Sequence, residues 1–186
     1  MPTNRSNWTH PDLQSLVGLF YEDAGVLGQF SELPAEQLPS PFRELLGHTH
    51  HMTVTVENFH QSPVTVQVLE KHVTETHYSR KILLRRQSDN RVVQFGIVRL
   101  NKSALSDPVR QEIESETTPL GRVLIERNVM RTVKLMSTWQ IELGTDLQTA
   151  FESTSGRCFG RTALIYTDGV PCVELLEIVP NFEVTE

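Results

Sequence analysis

Several things are scarce in this chain of 186 residues. It has two cysteines, Cys158 and Cys172, too few for a disulfide framework or a zinc quartet of thiolates. No apolar run approaches the roughly 20 residues that a bilayer span needs. The segment Met1–His10 has no apolar stretch of the kind a secretory signal carries. Basic runs are also absent. Lys plus Arg is 17 against 23 Asp plus Glu, a formal charge of -6, which argues against a nucleic-acid partner and against a membrane surface. These absences point to a protein of a reducing cytoplasm. They also mean that an anionic ligand must be captured by a few local cations rather than by a long-range field.

What is present is enough for a core: 38% hydrophobic and 22% charged residues, without repeats or low-complexity tracts. The organisation expected is an N-terminal arm over 1–10 and a single domain over 11–182. Leu13, Leu16, Val17 and Phe20 have helical spacing, continuing toward Phe30, with Gly25 and Gly28 weakening the second half. The proline-rich Leu33–Pro41 stretch ends that unit. From His51 the period changes to two: Met52, Val54 and Val56 read as one strand, Val64, Val66 and Val68 as the next, joined by Asn58–Pro63. Further strands are expected over about 76–86, 92–100, 133–141, 161–166 and 172–179, with Asp168-Gly169 as a hairpin turn. Asp107-Pro108 and Thr118-Pro119 open two short helices, the second with Thr118 as its cap and Pro119 at its first position. The segment Gly144–Gly156 reads as loop. The fold class is α+β: a mostly antiparallel sheet with helices on one side.

Two charges interrupt apolar rows. Arg80 shares a strand face with Tyr78, Ile82 and Leu84, and Glu177 shares one with Val173, Leu175 and Val179. A buried arginine cannot shed its proton and requires an anion. The two residues either pair with each other as a structural salt bridge or serve a ligand. Glu174, on the opposite face, intrudes in the same way as Glu177. Thr118-Pro119-Leu120-Gly121-Arg122 adds backbone donors at a helix start, the amides of Leu120 and Gly121, unless it is simply a capped helix. A guanidinium, a helix end and one carboxylate in a dry cavity suit a small, flat ligand with carboxylate and hydroxyl groups.

The blocks His77–Leu84, Thr118–Arg122 and Gly160-Arg161 through Asp168-Gly169-Val170-Pro171 to Glu177, in this order and spacing, resemble the chorismate lyase (chorismate–pyruvate lyase) family, including its divergent bacterial and archaeal branch. The resemblance covers roughly residues 12–180. It implies an antiparallel sheet of about six or seven strands with flanking helices enclosing an internal cavity. It also implies elimination of pyruvate from chorismate to give 4-hydroxybenzoate, without metal or organic cofactor. By match, Arg80 binds a carboxylate, Glu177 faces the hydroxyl end of the ring, the Leu120 amide adds a hydrogen bond beside Gly121, and Gly25 lies in a lid over the ligand. The chain departs from the better-known branch in lacking a second arginine on the strand over 92–100, where Phe95 and Gly96 stand. Arg122, Arg161 or a histidine is left to replace it. The interval from Pro171 to Glu177 is one residue longer, which suggests a bulge.

Other readings compete. A non-catalytic sensor for an aromatic acid would use the same groups. Such domains in transcription regulators follow a winged helix, and about ten residues precede the first helix here. Gly47-His48-Thr49-His50-His51 invites a metal, but no carboxylate or cysteine sits nearby at diagnostic spacing. His51 is expected near the cavity mouth. Cys158 and Cys172 read as unbridged packing residues, Cys172 lying across the hairpin near Ile165. Trp139 is expected on the sheet, and Trp8 in the arm.

Overall fold

A computed structural model describes residues 12–154 and 156–182. The expected arm over 1–10, with Trp8, lies outside the described residues. Seven strands form one antiparallel sheet: β1 (Gly28–Glu32), β2 (Val64–Val73), β3 (His77–Arg86), β4 (Val92–Asn101), β5 (Arg131–Leu143), β6 (Arg157–Thr167) and β7 (Val170–Val179). Their order in space is β1-β5-β6-β7-β4-β3-β2, so the last strand of the chain lies mid-sheet. Consecutive strands of alternating and β-branched sequence form the hairpins β2–β3, β3–β4 and β6–β7. Asp168 and Gly169 both have positive φ, 51° and 76°, as the tight turn between β6 and β7 requires.

Helices cover both faces rather than one. On one face, α1 (Leu13–Val17) and α6 (Thr145–Phe151) pack Leu16, Val17 and Leu147 on Leu83, Phe95, Ile97, Leu176 and Ile178. The other face carries two separate clusters. In the first, α4 (Asp107–Glu114) and α5 (Leu120–Glu126) place Val109, Ile113, Leu120 and Leu124 over Tyr78, Val98, Ile165 and Leu175. In the second, α2 (Phe42–Leu46) and α3 (Met52–His60) place Phe42, Leu45, Met52 and Val56 over Ile82, Leu84, Phe159 and Val179. The charged residues Arg80, Arg161 and Glu177 belong to neither cluster.

Four expectations are corrected. Residues 52–60 are helix α3, not a strand and hairpin. The side chains buried there, Met52, Thr53 and Val56, fall one turn apart, and packing on the sheet overrides the β-branched alternation. The expected loop 144–156 contains α6. The N-terminal helix stops at Val17, and β1 begins at Gly28, which lies so close to β5 that a Cβ there would stand 2.6 Å from the Glu142 carbonyl oxygen. Helix α5 starts at Leu120 with Pro119 as its cap, one residue later than expected, and Thr118 makes no capping bond. Trp139 sits edge-on to Phe30, 6.2 Å between ring centroids, and both cysteines are free and buried.

Candidate functional site

A narrow cavity of about 30 Å3 lies at the seam between the two clusters. Its floor is the sheet: Arg80 and Ile82 of β3, Gln94, Gly96 and Val98 of β4, Arg161 and Ile165 of β6, and Leu175 and Glu177 of β7. Its walls are the start of α3 with His50, His51 and Thr53, and the start of α5 with Leu120 and Gly121. The register explains the space. Gly96 stands opposite Ile82 on one side and Glu177 on the other, so the middle of the floor carries no side chain. A Cβ at Gly96 would come within 3.2 Å of Ile82 Cγ1. Gly121 lets α5 approach α3: a Cβ there would sit 3.0 Å from Thr53 Oγ1.

Arg80 is fully buried at 0% exposure. Its Nη1 donates to the Ile113 carbonyl oxygen at 3.1 Å, while Nε and Nη2 have no hydrogen-bond partner among the described residues. Burial pushes its pKa below the ordinary guanidinium range, with the nearby Tyr78 and then the charge of Glu116 opposing that shift. The Tyr78 hydroxyl donates to Glu116 Oε1 at 3.1 Å. A buried cation with two idle donors is expensive in a core and is what an anion site requires.

Arg80 and Glu177 do not pair. Glu177 accepts from Arg161 Nε at 2.7 Å, across the β6–β7 register that sets the two side by side. Arg161 is spent on structure: Nη1 donates to the His48 carbonyl oxygen at 2.8 Å and Nη2 to that of His50 at 3.0 Å. These bonds tie the segment 47–51 down over the sheet. Glu174, the competing intruder, pairs with Arg99 on the opposite face, Arg99 Nη2 donating to Oε1 at 2.7 Å. The bulge anticipated before Glu177 falls at Cys172, where the register passes from Ile165–Val173 to Tyr166–Pro171.

Leu120 and Gly121 line the cavity, and His51 stands at its wall. Gly25 does not. It lies in a single exposed turn over Ala24–Val26, its N–H donating to Asp23 Oδ1, and its carbonyl faces Gly144 beside α6. Arg122 does not supply the second cation either, because it pairs with Glu57 outside the cavity. Arg161 occupies the cavity but with its donors committed. His48 and His51 are both driven down to a pKa of about 4, first by burial and next by Arg161 and Arg131 respectively. The His51 ring accepts from Arg131 Nε, which fixes it as neutral. Among the described residues no three His, Cys, Asp or Glu side chains gather as a metal cluster, and no helix is long and apolar enough to cross a membrane. Gln94 is the lining residue that sequence reasoning missed. A lone glutamine in an apolar strand was its signal, weaker than a charge.

No family model matches this chain, and no curated protein does. Solved structures do, all at low identity. PhnF from Mycobacterium smegmatis aligns with a TM-score of 0.53 at 9% identity over 72% of this chain and 65% of its own. The transcriptional regulator YydK from Bacillus subtilis gives 0.47 at 11% identity, over 66% of this chain and 61% of its own. A domain described as the ligand-binding domain of a GntR-family transcriptional regulator from Bordetella bronchiseptica gives 0.46 at 13% identity, over 63% and 86%. This chain thus spans less than two thirds of the length of PhnF and of YydK. The seven antiparallel strands with their flanking helices are the chorismate lyase-like fold, the same one that GntR-type regulators use in their C-terminal domains.

Proposed function

We propose that this chain binds a small organic acid in the seam cavity, with Arg80 holding the carboxylate. The observation that carries this reading is the pair of idle Arg80 donors inside a fully buried side chain. A carboxylate meeting a guanidinium edge forms two charge-assisted hydrogen bonds with little penalty left for desolvating the cation. The Leu120 and Gly121 amides precede the first bond within α5, which Arg122 donates to the Pro119 carbonyl oxygen, and they are available to the ligand's other oxygens. Ile82, Val98, Ile165 and Leu175 offer flat apolar surface to a ring. A fold shared with ligand-binding domains of regulators agrees with a binding role.

A second reading, pyruvate elimination from chorismate to give 4-hydroxybenzoate, is favoured by the convergence of Arg80, Glu177, Leu120 and Gly121 on one cavity. In that reaction the bond between the ring carbon and the ether oxygen breaks, the hydroxyl-bearing ring carbon loses its proton as the ring becomes aromatic, and the enolpyruvate methylene takes up one proton to give pyruvate. The protein would position the substrate and stabilise the departing enolpyruvate. Glu177, already committed to Arg161, suits accepting a hydrogen bond from the 4-hydroxyl better than acting as general base.

Both readings are tested together. Chorismate and 4-hydroxybenzoate are titrated calorimetrically into the wild type and Arg80→Met, and each chorismate mixture is analysed for pyruvate and aromatic product. Arg80→Met is expected to weaken binding by about 100-fold, the loss of two charge-assisted bonds, while remaining folded. Equal binding by Arg80→Met removes the anchor. Binding without product identifies a sensor domain, and product at wild-type level with none in Arg80→Met identifies a lyase.

A further inference from the structure

Arg80 is not alone in being uncompensated. Gln94, on β4, is 3% exposed and lines the cavity, and its Oε1 has no hydrogen-bond partner among the described residues. It stands opposite Leu84 in the β3–β4 register, and the apolar cluster around that row includes Ile82, Leu84 and Val93. Nothing in that cluster uses an amide, and a leucine of similar volume would fill the place without a buried, unmatched acceptor. Arg80 and Leu84 are four residues apart on β3, about 13 Å along the strand. The two orphaned groups therefore flank the cavity floor at opposite ends, with the bare backbone of Gly96 between them.

We infer that Gln94 is a specificity-determining residue that reads the far end of the ligand. The ligand is an organic acid whose carboxylate sits on Arg80 and whose second polar group, a hydroxyl or amine set about one ring length away, donates to Gln94 Oε1. This deepens the organic-acid reading above and rests on it. Glu177 is the nearer acceptor in the cavity, but Arg161 occupies one of its oxygens, whereas the Gln94 carbonyl is wholly unclaimed.

The experiment compares benzoate with 4-hydroxybenzoate, titrated calorimetrically into the wild type and Gln94→Leu, and adds melting curves of both proteins without ligand. The wild type is expected to prefer 4-hydroxybenzoate. Gln94→Leu is expected to erase that preference, losing about tenfold for 4-hydroxybenzoate and nothing for benzoate, and to melt higher than the wild type when empty. A preference unchanged in Gln94→Leu overturns the Gln94 assignment while leaving the organic-acid site standing. A lower melting temperature, or a variant that does not fold, makes the amide structural and overturns it too. Failure of the wild type to bind either acid overturns the underlying reading, and the inference with it.

Discussion

Two arginines lie equally deep in this protein and do opposite things. Arg161 is 1% exposed and spends its donors on Glu177 and on two backbone carbonyls, so its charge is neutralised and its geometry fixed. Arg80 donates one hydrogen bond, to the Ile113 carbonyl oxygen, and its other two donor nitrogens have no partner among the described residues. The histidines beside them carry a measurable consequence. His48 and His51 have folded-state pKa values of about 4, below the ordinary value of about 6.5. The same holds for His60, where burial leads and Arg86 follows. An unfolded chain then binds more protons than the native one between about pH 6.5 and 4, so stability is full above that window and falls as pH drops through it. The melting temperature is expected to decline steadily from pH 7 to pH 4.5, and a His48→Asn, His51→Asn variant to decline less. Identical slopes for variant and wild type would mean that these rings do not resist protonation.

At the level of elements, strands with long alternation were legible and short or competing patterns were not. The rows of β3, β4, β6 and β7 could be assigned to faces from period alone, because each strand has one side in each core. Residues 52–56 carried the same alternation yet form α3, since Met52 and Val56 meet the sheet only if the chain coils. Strand β1 is five residues with a glycine at its start, too short for a period to emerge. The segment 47–51 illustrates a tie that no sequence pattern announces: its carbonyls are held by a guanidinium more than a hundred residues away in the chain. Removing either member of the Arg161–Glu177 pair leaves a buried charge without its partner. Glu177→Ala and Arg161→Ala are each expected to lose about 3–5 kcal/mol in chemical denaturation. An Arg161→Met, Glu177→Leu double variant should recover much of that loss, because the uncompensated charge disappears. A double variant as unstable as the sum of the singles would show that the backbone ties to His48 and His50, and not the charge pair, hold the region together.

The whole molecule places its cavity at the seam between two apolar clusters. Arg80, Glu177 and Glu174 were readable as charges in apolar rows, whereas the equally buried Arg161 was not, and Arg80, Glu177, Leu120 and Gly121 line one cavity. Which charges pair was not readable, because the order β5-β6-β7-β4 brings Arg161 beside Glu177 only once the sheet has closed. Gly25 was misplaced for the same reason: its turn lies beside α6, away from the cavity. A ligand in the seam would touch the start of α3, the start of α5 and the floor of the central strands at once. Those segments are far apart in sequence, and α3 and α5 meet along a seam that is thin compared with the strand pairing of the sheet beneath. Occupancy should therefore join the two halves of that layer. At 100 times its dissociation constant a ligand stabilises the native state by about 2.7 kcal/mol, and the gain should be local before it is global. Hydrogen exchange with and without 4-hydroxybenzoate is expected to slow together in 47–60 and 118–126, with little change in the β1 and β2 edge strands, and Arg80→Met should abolish both effects. Protection confined to one of the two segments, or persisting in Arg80→Met, would put the ligand somewhere other than the seam.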